Sequence, residues 1–192
     1  MLVAVVYVAA AATLVISLYV WPLDQSVDGP INGWSGLAFW ISLTLLATAA
    51  PIHVPRGPYV SLYSAPILAV AVLGGPSAAA VVAVLGTFEL REVKGGVPWW
   101  GVVYNHSLVV IPSVLAGVVA WAASGTAAPV ASLVGVLLAG TVFFMVNESL
   151  TAVAVGIRDH RSFSTVLSAN VHSYGLAMVG LTPMAWLMAL AY

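Results

Sequence analysis

The chain has 192 residues, 62% of them hydrophobic and 6% charged, with five basic and six acidic side chains and a formal net charge of −1. A soluble domain carries about 25% charged residues, so this composition, with a mean hydropathy of +1.09, excludes a soluble globule and leaves too few cations for a nucleic-acid surface. The absence of cysteine excludes disulfides, thiolate metal centres and a cysteine nucleophile.

Spanning a bilayer takes roughly 20 apolar residues per helix. The length therefore predicts an all-α, polytopic integral membrane helical bundle of six or seven segments, a single transmembrane domain over residues 1–192 in the cell membrane. Backbone polar groups in hydrocarbon must be satisfied within their own segment, so apolar runs broken by proline, glycine and charge mark the helices. The first run, residues 2–20, is uncharged and has no positive flank or small-residue cleavage site, which predicts a retained helix rather than a leader. Asp24 and Asp28 follow it in a loop. Further runs lie near 34–50, 59–74, 76–90, 98–123, 129–157 and 163–191. The third is short and contains Pro66; it is expected to be tilted or re-entrant, with Gly74, Gly75 and Pro76 forming the turn after it. Trp21, Trp34, Trp99, Trp100, Trp121, Trp186, Tyr19 and Tyr192 fall near segment ends, where aromatic rings rest at headgroup level.

Basic residues follow the second, fourth and sixth runs: Arg56, then Arg91 and Lys94, then Arg158 and Arg161. If all seven runs cross, these lie on one face. The positive-inside rule makes that face cytoplasmic, with the first helix starting inside and the last ending outside. A single re-entrant segment would reverse this.

Glu148 is the one charged side chain well inside an apolar run, and an ionisable residue at that depth marks a site by default. At a rise of about 1.5 Å per residue, Asn105 and His106 lie about 10–12 Å below the face bearing the basic loops, Asn147 and Glu148 about 15 Å, and Asn170 and His172 about 10–14 Å. Unpaired polar groups in lipid are costly, so these six are expected to share one pocket for a small polar or amphipathic ligand. Ser61 and Tyr63, in the stretch that opens the third run, are expected at its rim. The competing reading makes Asn105, Asn147 and Asn170 interhelical hydrogen-bond glue. The tetrapeptides Asn105-His106-Ser107-Leu108 and Asn147-Glu148-Ser149-Leu150 echo each other, without symmetry in the residues around them.

No cofactor is expected. His106, His172 and Glu148 are chemically able to bind a metal but form no ligand motif, so no metal site is assigned. Glu89, Arg91, Glu92 and Lys94 read as a solvated helix end. Gly33-Trp34-Ser35-Gly36 matches the short serine motif of rhomboid-type intramembrane proteases, but Ser35 lies early in the chain at an interface, away from a histidine partner. Chemistry by this chain is therefore not expected.

Residues 51–86, PIHVPRGPYVSLYSAPILAVAVLGGPSAAAVVAVLG, lead into a charged turn, an aromatic stretch and Asn105. This resembles the multi-pass membrane sensor region that precedes HD-GYP phosphodiesterase or GGDEF cyclase domains in bacterial signalling proteins. Pro55-Arg56-Gly57, Val60-Ser61-Leu62, Gly75-Pro76, Asn105 and Asn147 carry the likeness, which covers roughly residues 45–155. It implies a region that senses a ligand and passes the signal to a fused cytosolic enzyme. Such a fusion needs the last helix to end inside, against the charge rule. The outline is also similar to the substrate-binding S-components of energy-coupling-factor vitamin transporters, which implies a membrane partner subunit docked through alanines four apart on the first helix. Here Ala4, Ala9, Ala10, Ala11 and Ala12 include no such pair.

Overall fold

The computed structural model describes residues 2–53, 59–124 and 133–192. Arg56 and the Pro55-Arg56-Gly57 stretch lie outside them. In chain order the elements are α1 (Leu2–Val20), α2 (Leu23–Val27), α3 (Gly33–Ala49), a two-residue antiparallel pairing of β1 (Ile52–His53) with β2 (Tyr59–Val60), α4 (Ser64–Gly86), α5 (Leu90–Val93), α6 (Trp99–Ser124), α7 (Leu133–Asp159) and α8 (Phe163–Ala191). The protein is a polytopic membrane helical bundle. Ser64–Gly86, Trp99–Ala123, Leu133–Asp159 and Phe163–Ala191 are long and apolar enough to cross a bilayer, and Ala4–Val20 and Gly33–Ala49 are shorter apolar helices.

α4 is not a straight rod. Gly75 sits at φ 71°, ψ −163°, directly before Pro76, in a region of backbone space essentially reserved for glycine. As one straight helix, its ends would stand about 35 Å apart. Instead Tyr63, just before the helix, and Thr87, just after it, line one cavity together with Thr48 and Glu89, while Ser61 and Glu89 line another. α4 is therefore a hairpin of two limbs, 64–74 and 76–86, with its vertex at Gly75. The vertex reaches the far side of the bundle, where Ser77 Oγ lies 2.9 Å from Ser26 Oγ and Gly74 and Gly75 line a cleft with Trp21 and Trp121.

Limbs of this length, about 16 Å each, are too short to face lipid alone and sit inside the bundle. Ile67, Leu68, Ala69 and Val70 on the first limb and Ala78, Ala80, Val82 and Ala83 on the second are all fully buried. A helix apolar all round is an inner helix. α6 packs along the hairpin, α3 and α8 flank it, and α1 lies outside against α6. One cluster of buried side chains, drawn from Val27, Ile31, Trp40, the two limbs, Val110, Phe143 and Ala185, joins these layers.

The direction of each helix follows from its end contacts. Tyr7 on α1 donates to the Trp100 carbonyl and Trp21 meets Trp121 edge-on, so α1 and α6 run parallel. The Thr48 hydroxyl donates to the Gly86 carbonyl at 3.0 Å, so α3 ends at the mouth of the hairpin. Tyr192, expected only to anchor at the headgroups, donates instead to the Ile31 carbonyl at 2.7 Å and stacks on Phe39. It pins the end of α8 to the start of α3. One face thus carries the start of α1 and the mouth of the hairpin with α5, Arg91 and Lys94, together with Arg158 and Arg161 at the α7–α8 turn. The opposite face carries Asp24, Asp28 and the end of α8.

Because the hairpin enters and leaves on the same face, re-entrance of its limbs leaves this parity unchanged. Reporters inserted at His160 and fused after Tyr192 are accordingly expected to give opposite sidedness; the same sidedness at both positions would refute the threading. Tyr192→Phe removes one hydrogen bond from the pinned end and is expected to lower stability by about 0.5–1.5 kcal/mol, read as a reduced unfolding temperature in detergent.

Candidate functional site

Glu148 is delivered by α7 to the bundle interior, where it is 7% exposed. Asn147 Nδ2 approaches its Oε1 at 3.4 Å. These two residues, and Asn170 from α8, lie at the wall of a cavity of about 390 Å³ between the mouth of the hairpin, α7 and α8. Ser61, Tyr63 and Ser64 line it from the hairpin, Phe143, Phe144 and Thr151 from α7, and Tyr174 and Met178 from α8. The Ser64 hydroxyl is 4% exposed, and neither it nor Ser61 Oγ has a hydrogen-bond partner among the described residues. Buried polar groups are nearly always paired. Two buried, orphan hydroxyls on residues that line the same cavity as a buried carboxylate form a donor and acceptor set for a third party.

An adjoining cavity of about 250 Å³ shares Tyr63, Asn147 and Thr151 with the first, and Asn105, His106, Thr87 and Glu92 also line it. Its centre is Glu92, read from the sequence as part of a solvated helix end but in fact 8% exposed. The start of α5 explains this. Glu89 and Glu92 form a capping box in which the Glu89 backbone N–H donates to Glu92 Oε2 at 3.1 Å, and this turns the Glu92 carboxylate inward onto α6. There it accepts from Asn105 Nδ2 at 3.1 Å and lies 3.4 Å from His106 Nε2. The Thr87 hydroxyl donates to the Ala83 carbonyl at 2.7 Å, so at 3.1 Å it can only accept from His106 Nδ1. Arg91 and Glu89 pair on the exposed side of the same turn.

The six groups expected in one pocket thus divide. Asn147, Glu148 and Asn170, with Ser61 and Tyr63, line the first cavity, and Asn105 and His106 belong to the second. His172 is exposed on the outward face of α8. Glu92, Tyr174 and Thr151 are cavity residues that the sequence reading did not single out, while Ser64 belongs to the stretch expected at the rim; Glu92 carries no sequence signal, since the residue signature of a capping box opens with Ser, Thr, Asp or Asn. Among the described residues no cluster of three or more metal-ligating side chains occurs. Ser35 lies at the start of α3 on the opposite face, where its hydroxyl donates to the Asn32 carbonyl, and it lines neither cavity.

A family model for MASE9, a membrane-associated sensor domain family, matches residues 36–192. The chain belongs to the MASE9 family. The MASE9 match begins within α3 and takes in the hairpin, α5 and α6–α8, hence every residue of both cavities. It agrees with the sensor resemblance read from Gly75-Pro76, Asn105 and Asn147. No curated protein and no solved structure matches the chain.

Proposed function

We propose that this MASE9 chain is a multi-pass cell-membrane sensor domain that takes one small polar or amphipathic molecule into the Glu148 cavity. The observation that carries this reading is the pairing of a buried carboxylate with two unpartnered hydroxyls around a space of about 390 Å³, within the usual range of about 300–1,000 Å³ for ligand pockets. The cavity wall comes from three elements, so a molecule bridging Ser64 on the hairpin to Glu148 on α7 and Asn170 on α8 favours one arrangement of them over others. Occupancy is transmitted as that shift in helix populations to a fused signalling domain of the cyclase or phosphodiesterase type. A domain beyond Tyr192 lies on the face away from the cavity mouth, so a cytosolic output means a cavity open to the outside. The transporter S-component reading is weaker, because α1 lacks the alanine pair that would dock a partner subunit.

The test compares small molecules released from the purified full chain with those from Glu148→Gln and Ser64→Leu. The reading predicts a compound enriched on the wild type and depleted about tenfold or more in both variants, the loss of roughly one charge-assisted hydrogen bond. Identical profiles from all three proteins would contradict it.

A further inference from the structure

We infer that the molecule taken by the Glu148 cavity is an organic amine in its ammonium form, with an apolar body; this rests on the cavity being a ligand site, as proposed above. Among the described residues that line the cavity there is no lysine, arginine or histidine, and Glu148 is the one formal charge. Its carboxylate is approached by one amide donor, Asn147 Nδ2 at 3.4 Å, and forms no ion pair among the described residues. Arg91, at the mouth of the hairpin, lines only the neighbouring cavities and is paired to Glu89. An ionised carboxylate removed from water without a counter-charge is costly, and a ligand cation removes that cost.

The remaining polar lining suits a donor. Asn147 and Asn170 each present a carbonyl oxygen able to accept, and the Ser61 and Ser64 oxygens are unpartnered among the described residues. An ammonium group offers three N–H donors and accepts nothing. Around this polar end stand the rings of Tyr63, Phe143, Phe144 and Tyr174. Aromatic faces attract a cation and bury an apolar body. An anionic ligand would meet Glu148 with no compensating cation, and a neutral alcohol would leave the carboxylate without one.

Three probes that share a phenyl ring and a short spacer separate these cases: phenethylammonium, 2-phenylethanol and 3-phenylpropanoate. Each is measured by equilibrium dialysis against the full chain in zwitterionic nanodiscs, with empty nanodiscs subtracted. The inference predicts that phenethylammonium binds about tenfold or more tighter than 2-phenylethanol and that 3-phenylpropanoate does not compete. It further predicts that Glu148→Gln abolishes the ammonium preference, while Ser64→Leu weakens both bound probes. If 2-phenylethanol binds as tightly as the amine and is lost in Ser64→Leu, the amine assignment is overturned and the cavity survives as a ligand site. If no probe binds, or binding ignores both substitutions, the amine assignment and the cavity reading fall together.

Discussion

Leucine in place of Gly117 on α6 is expected to be severely destabilising. A Cβ at this position would stand 2.6 Å from Pro76 Cα and 2.8 Å from Pro76 N. The obstacle is therefore the backbone of the hairpin vertex and not a side chain able to rotate away. The vertex cannot retreat without unpacking, because Gly75 holds a conformation open to glycine alone and Ser77 is tied to Ser26. Overpacking of this kind costs about 1–3 kcal/mol and more where backbone must move; the expectation here is at least about 3 kcal/mol for Gly117→Leu and about half that for Gly117→Ala. Unfolding temperature and monodispersity in detergent give the readout. Gly180→Leu is the control, since a side chain there meets nothing within 4 Å. Equal losses at the two positions would mean that α6 does not bear on the hairpin vertex as described.

The second large effect is expected at Glu92. Its side chain accepts from the Glu89 backbone N–H and Asn105 and contacts His106, so Glu92→Leu leaves three groups without their acceptor in a nearly dry site. Stranding buried partners in this way costs about 2–4 kcal/mol. Glu92→Gln keeps one acceptor oxygen, for either the capping N–H or Asn105, and turns its NH2 toward the other donor, so it is expected to cost less than Glu92→Leu but not to restore the wild-type stability. Adding His106→Leu to Glu92→Leu removes one of the stranded groups, so the double variant should be more stable than the sum of the single losses by about 1 kcal/mol or more. Strict additivity would show that Glu92 and His106 do not interact.

Much of this architecture is written in the chain. Helix ends fall where proline, glycine and charge interrupt apolar runs: the run expected near 98–123 is α6, Trp99–Ser124, and the last, 163–191, is α8. The turn at Gly74, Gly75 and Pro76 was legible because a glycine followed by proline cannot continue a helix. That its two limbs fold against each other inside the bundle was not, since burial of an apolar helix on all sides is decided by its neighbours. Glu148 stood out as a carboxylate inside an apolar run. Glu92 did not, because Arg91 and Lys94 beside it look like a wetted helix end, and only the capping box turns it inward.

The error at His172 is one of azimuth. Depth along the axis placed it level with Asn170, but residues two apart on a helix point about 200° away from each other. With Asn170 lining the Glu148 cavity, His172 has to face outward. The same geometry separates the Asn105 and His106 pair from Glu148: those side chains leave α6 toward α5, at the mouth of the hairpin, so similar depth produced two cavities where one was expected.

The account stands or falls on the Glu148 cavity being accessible, and a chain without cysteine allows that to be measured against no background. In single-cysteine variants of the full chain, Thr151→Cys, at a half-buried position that lines the cavity, is predicted to react with a charged, water-soluble methanethiosulfonate. Ser113→Cys, whose native hydroxyl is fully buried and bonded to the Val109 carbonyl of its own helix, is predicted not to react. Labelling at position 151 alone is the result the account requires; two equally inert thiols would show that no such cavity is open in the protein.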